Sequence, residues 1–227
     1  MGVPKESAEF SFRDVEELRA SRKYAEYISG LVTRGIVPIV VSKNIYHDIS
    51  VRDFALSRAK QYLIFDYHLD ANSDALAWDS FVKHAMIKGI FRKDDFFAFG
   101  IGEVLARELA SAKKADDMSA WSRSTLSLFR RDHLFTYAEE SRFRRAIPLL
   151  DGYFLSLDMD VLWKFSDLEP LLDALLSARV PRFIEVFSDK NGVDLANVMH
   201  FIQSKLRALG LPFSVVFVDI AQLRRSE

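Results

Sequence analysis

Apolar and β-branched residues gather in short runs at Ile36 to Ser42, Gln61 to Asp66, Phe96 to Ile101, Gly152 to Asp158, Arg182 to Phe187 and Phe213 to Asp219. Runs of that length, bounded by polar residues or turn formers, predict β-strands. Between them the apolar positions recur three and four residues apart, which predicts helices over Val15 to Leu31, Asp79 to Lys88, Glu103 to Lys113, Leu168 to Ala178 and Leu195 to Ala208. Asp194 suits the N-cap of the last helix, and Gly210 suits its stop. Strands that are apolar almost throughout need cover on both faces, and strands that alternate with helices pair in parallel through right-handed crossovers. The pattern predicts an α/β fold, a three-layer sandwich around a mostly parallel sheet. The stretch from Ala115 to Ala146 breaks the rhythm, being charged, rich in arginine from Arg130 to Arg145, and offering only a short strand at Leu134 to Tyr137. Without repeats or a linker of low complexity, residues 1–227 read as a single domain.

Charge changes the picture by exclusion. With 31 Lys and Arg against 32 Asp and Glu, the chain carries a net charge of -1, and nothing in it predicts a nucleic-acid partner. No apolar run is long enough to span a bilayer and the N-terminus lacks a signal-like core, so the expectation is a soluble, cytoplasmic protein without membrane contact. There are no cysteines, which removes disulfides, thiolate zinc sites and a cysteine nucleophile. Any metal must take oxygen and imidazole ligands.

Polar chemistry concentrates where the predicted strands end. Ile36 to Ser42 leads into Asn44-Ile45-Tyr46-His47-Asp48, and Gln61 to Phe65 into Asp66-Tyr67-His68-Leu69-Asp70. Gly152 to Leu157 leads into Asp158-Met159-Asp160, and the strand from Arg182 carries Glu185. In a parallel sheet these ends share one rim, where ligand sites form. Clustered carboxylates repel one another unless a cation joins them. Residues two apart in an extended segment project to the same side, so Asp66, His68 and Asp70 can converge, as can Asp158 and Asp160. Carboxylates with a minority of imidazoles suit a hard or borderline divalent ion.

The segments that begin at Asn44, Asp66 and Ser156, in this order, resemble the Gly-Gly-Asp-His-Ser, Asp-Ala-His-x-Asp and Ser-x-Asp-x-Asp motifs of the arginase/agmatinase (ureohydrolase) family, with Ser156-Leu157-Asp158-Met159-Asp160 as the third. The chain looks like a shortened, divergent member. The resemblance implies an arginase-like fold and two Mn²⁺ ions: His47, Asp66, Asp70 and Asp158 about one, and His68, Asp66, Asp158 and Asp160 about the other. It also implies hydrolysis of a guanidino-type C–N bond to urea and an amine, with Asp70 orienting the attacking water and His84 protonating the leaving amine. Glu185 would hold the guanidinium, and Asn72 would help to hold the substrate. The chain departs from the family in lacking the glycines and aspartate of the first motif, and in having Val161-Leu162-Trp163 where an Asp-Pro follows the third. The implied partner is a small guanidino compound or arginine within a peptide, and self-association into a homo-oligomer stays open.

Each assignment has a plainer alternative. Asp66, His68, Asp70, Asp158 and Asp160 could be loop residues, His47 and His84 satisfied core or surface histidines, Glu185 an ion-pair partner and Asn72 a turn residue. His133 and His200 are read as structural, and the arginines from Arg130 to Arg145 as a solvated face, with a substrate-docking or subunit surface as the alternative. Two other functions compete: a histone-deacetylase-like amidohydrolase with one zinc, and a binding protein that keeps the fold without turnover.

Overall fold

A computed structural model describes residues 7–66, 68–70, 80–101, 125, 127–159, 165–188 and 192–218. The strands are β1 (Ser7–Phe10), β2 (Val37–Ser42), β3 (Gln61–Phe65), β4 (Phe96–Ile101), β5 (Leu134–Thr136), β6 (Tyr153–Met159), β7 (Phe183–Ser188) and β8 (Phe213–Val218). They form one sheet in the order β1-β8-β2-β7-β6-β3-β4-β5, and every pairing is parallel. The described helices are α1 (Val15–Ala20), α2 (Arg22–Thr33), α3 (Ser50–Ser57), α4 (Phe81–Ile87), α5 (Glu140–Ala146), α6 (Phe165–Ala178) and α7 (Gly192–Ala208). A 3-10 segment, Asn44–Ile49, joins β2 to α3.

Two apolar clusters flank the sheet, as strands buried on both faces require. One joins Val40, Ile64, Phe154, Phe183 and Phe187 to residues of α1, α2, α3 and α4. The other joins Ile39, Leu63, Leu155 and Val186 to α5, α6 and α7. The α/β sandwich expected from the sequence is therefore present, with helices on both faces of a parallel sheet.

Several details differ from the sequence expectation. The helix expected over Val15 to Leu31 is two helices, divided at Ser21, whose backbone is extended and which caps α2 by accepting from the Tyr24 amide. Arg52 holds the break by donating to the carbonyls of Leu18 and Ser21. Asp194 is not an N-cap, because α7 begins two residues earlier at Gly192. β1, α3 and α5 had no forecast: β1 is an edge strand of four residues, and α3 and α5 are too short for a clear helical period. The helix expected at Glu103 to Lys113 lies outside the described residues.

The arginine-rich stretch is largely engaged locally. Arg130 pairs with Asp132 and Asp94, Arg144 pairs with Glu140, and Arg142 lies 4.6 Å from the centre of the Phe135 ring while bonding the Leu134 carbonyl. His133 stacks on Phe97 at 4.0 Å and is buried, matching its structural reading.

Gly152 immediately precedes β6 with φ at +57°, in the left-handed region that L side chains avoid, and a Cβ there would meet Arg182 Nε at 3.0 Å. Gly152→Ala is expected to cost about 1–2 kcal/mol of stability, read by urea unfolding. A neutral result would show that the turn into β6 is free to relax.

Candidate metal centre

The four central strands, in the order β2-β7-β6-β3, bring their carboxyl ends side by side. That is also where the chain turns from building one half of the sheet to building the other, which is the usual place for a ligand crevice. Ser156, in mid-β6, pairs in register with Ile64 and Glu185, so Asp158 two residues on keeps the same face and rises toward the rim. Asp66 follows Ile64 in the same way, one residue past β3.

His47 reaches this rim from the 3-10 segment after β2. Its ring lies between Phe81 and Phe187, with centroids 4.6 and 4.3 Å away, and its Nε2 is 3.4 Å from Ser156 Oγ. Its other nitrogen, Nδ1, faces carboxylates: Asp70 Oδ2 at 3.0 Å and Asp158 Oδ2 at 3.8 Å. The Asp70 contact lacks hydrogen-bond geometry, and Asp70 Oδ2 is buried with no donor among the described residues. Two electron-pair donors that close together, neither bonded to the other, fit a shared cation.

Asp66 is fixed by its own turn, since its Oδ1 accepts from the His68 amide at 2.7 Å. Asp70 has φ at +46°, a conformation that aspartate tolerates better than most side chains. Its carbonyl accepts from the Val82 and Lys83 amides, which ties this turn to the first turn of α4. Asp48, next to His47, is turned away from the rim into an ion pair with Arg19 of α1.

Among the described residues one group of donors is close enough to hold a metal ion: single atoms of His47, Asp66 and Asp158, all within 4.8 Å of one another and all buried. Asp70 joins it from the side of His47. Carboxylate exposures of 2% for Asp66, 5% for Asp158 and 6% for Asp70 leave little water to spread their charge, which makes a divalent cation the natural counter-charge.

The other expected residues fall elsewhere. The His68 side chain is 66% exposed, with Nδ1 3.9 Å from Asp66 Oδ1, and it is not one of the three converging donors. His84 is half-buried on α4, one turn beyond the Phe81 that packs on His47. Asp160 and Asn72 lie outside the described residues. Glu185 had been expected at the strand tip. It is instead third in a six-residue strand, fully buried, and accepts a hydrogen bond from Ser50 on its Oε2. Glu185 is in register with Ser156, two residues before Asp158 on β6, and so lies one layer beneath Asp158. Ser156, Phe81 and Phe187 were not singled out from the sequence. Ser156 stands in the third motif and could have been found there, but no local signal marks the two phenylalanines as partners of His47.

No family model and no curated protein sequence matches the chain. Among solved structures it is similar to formimidoylglutamase from Bacillus subtilis, with 13% identity over 86% of this chain and 68% of that one and a TM-score of 0.59. It is also similar to arginase from Bacillus subtilis, with 12% identity over 81% of this chain and 75% of that one and a TM-score of 0.56. At such identities the likeness shows a common fold, the arginase-like α/β sandwich. Among the described residues no helix is long and apolar enough to cross a membrane.

Proposed function

We propose that this protein is a divalent-metal hydrolase that cleaves a C–N bond at a guanidino or formimino carbon. The observation that carries the reading is the convergence of buried His47, Asp66 and Asp158 at the carboxyl ends of the parallel strands β2, β3 and β6. The arginase-like fold supports it, because the two similar enzymes bear names that denote hydrolysis at such carbons. The cofactor proposed is a pair of Mn²⁺ ions, with His47, Asp66, Asp70 and Asp158 about the first and His68, Asp66, Asp158 and Asp160 about the second. Bound there, divalent ions would lower the pKa of a water molecule enough to make it a nucleophile near neutral pH.

The chain's own side chains would do the rest. Asp70 would accept a hydrogen bond from the attacking water and orient it. That water adds to the planar carbon, the C–N bond to the rest of the substrate breaks, and His84 gives the departing nitrogen its proton. From a guanidino compound the products are urea and an amine; from a formimino compound they are formamide and an amine. Asn72 would help hold the substrate. Glu185, which the resemblance gives to the substrate cation, is spent on Ser50 inside the fold, and we give it a positioning part instead.

The test is product release with added Mn²⁺ across guanidino acids, agmatine-like amines, formimino compounds and arginine-containing peptides, beside a chelator-treated sample. Urea or formamide that disappears with the chelator and returns with metal is the expected result. Release that ignores the chelator would sink the reading. The exposure of His68 favours a second reading, a single-ion amidohydrolase of the histone-deacetylase type. Metal content separates them: two manganese ions per chain support the first, and a single zinc supports the second.

A further inference from the structure

Beneath the candidate metal centre lies a pair of carboxyl groups that the proposed chemistry does not use. Asp53 on α3 and Glu185 on β7 are both fully buried. Ser50 donates to Glu185 Oε2, and Tyr24 donates to Asp53 Oδ2 at 2.5 Å. α3 packs against β7 at this point, and each carboxyl is the other's charged neighbour. Their remaining oxygens, Asp53 Oδ1 and Glu185 Oε1, are buried with no donor from any other described residue. Two ionised carboxylates offer only acceptors, so such a contact requires a proton between them.

We propose that Asp53 and Glu185 share one proton, and that this protonated pair is the prop that holds His47 in place to receive a metal. The proposal rests on the metal-hydrolase reading above. Two links connect the pair to His47. Ser50, bonded to Glu185, opens α3 only three residues after His47 in the same continuous stretch of chain. Ser156, the register partner of Glu185 on the neighbouring strand, touches His47 Nε2.

The charged and titratable groups around the pair suit one negative charge, not two. Tyr24 faces it from α2, Arg52 from α3 and Tyr62 from β3, with Asp70 acting on Tyr62 from the rim. Arg52 is the one cation among these, and its guanidinium sits 5.3 Å from the centre of the Tyr24 ring. Burial pushes Asp53 up to about 6 against the opposing pull of Tyr24 and Arg52. Burial first, and then the charge of Asp53, pushes Glu185 well above its ordinary value. Of the two, Glu185 thus holds the proton more tightly.

The sign of the pH effect follows. Both carboxyls hold protons in the folded chain at pH values where the unfolded chain has released them, so the pair's contribution to stability shrinks as pH rises above the ordinary carboxyl range. Once the shared proton leaves, two buried charges repel, α3 backs away from β7, and His47 moves with it. Metal affinity then falls on the alkaline side, opposite to the usual gain as ligands deprotonate.

The test measures Mn²⁺ affinity by calorimetry from about pH 6 to about pH 9 in the wild type, Glu185→Gln and Asp53→Asn, with infrared spectra of each. Wild-type affinity should rise and then drop by about fivefold or more toward the alkaline end. In Glu185→Gln the amide donates to Asp53 without titrating, so the drop should vanish, and with it the band of a neutral carboxylic acid seen in the wild type at neutral pH. The same alkaline drop in Glu185→Gln, or no such band in the wild type, overturns the proposal. Should Glu185→Gln not fold, Asp53→Asn replaces it; should neither fold, wild-type melting must still fall with rising pH, and a flat profile is fatal. No Mn²⁺ binding by the wild type at any pH overturns the metal reading instead, with the infrared band still deciding the shared proton.

Discussion

Asp158→Ala is expected to abolish divalent-ion binding while leaving the metal-free protein folded and no less stable than the wild type. Asp158 is buried, supplies one of the three converging donors, and sits 3.8 Å from the His47 nitrogen that faces the same point. Changing residues that merely orient a metal ligand costs about 10–100-fold in affinity, so deleting a ligand should cost more than about 100-fold. Stability should move the other way, since removing one buried carboxylate relieves its repulsion with Asp66 and Asp70. Asp66→Ala makes an informative companion. It should lose metal equally, yet also lose about 1 kcal/mol of stability with the hydrogen bond from the His68 amide. Titration calorimetry with Mn²⁺ and melting of the metal-free proteins read both quantities. Wild-type affinity in Asp158→Ala would falsify the metal centre.

Phe154→Ala should produce the largest stability loss, about 3–5 kcal/mol, as for a large ring removed from a close-packed core. Phe154 is fully buried on the face of the sheet that carries the metal ligands. It stacks on Phe183 at 4.7 Å and on Tyr62 at 5.1 Å, and meets Phe54 of α3 edge-on at 6.0 Å. The same ring thus supports three strands and the helix that follows His47. In a chain of this size the loss corresponds to a fall in Tm on the order of 10 °C. Urea unfolding measures it, and a change under about 1 kcal/mol would show that α3 is held by other means. Metal affinity should drop far less than in Asp158→Ala, because no ligand is removed; an equal drop would mean that the aromatic column sets the ligand geometry.

The outline of the fold was legible because burial on both faces leaves long apolar signatures. β2, β3, β4, β6, β7 and β8 lie within a residue of the runs read from the sequence at nearly every end. Elements held by tertiary contact were not legible. α3 depends on Arg52, Asp53 and Ser50 meeting partners on α1, α2 and β7, and those partners are distant in sequence. At the site, alternation along β3 and β6 was enough to send Asp66 and Asp158 to one rim. It could not show that His68 would be exposed, because a turn, unlike a strand, has no fixed side-chain period.

By itself the sequence determined an α/β sandwich with a parallel sheet and a set of carboxylates and histidines grouped after its strands. These follow from periodicity, burial and residue type, which are local properties of the chain. Only the tertiary structure decided strand order, the depth of Glu185 and its pairing with Asp53, because register and helix docking depend on contacts between residues far apart in sequence.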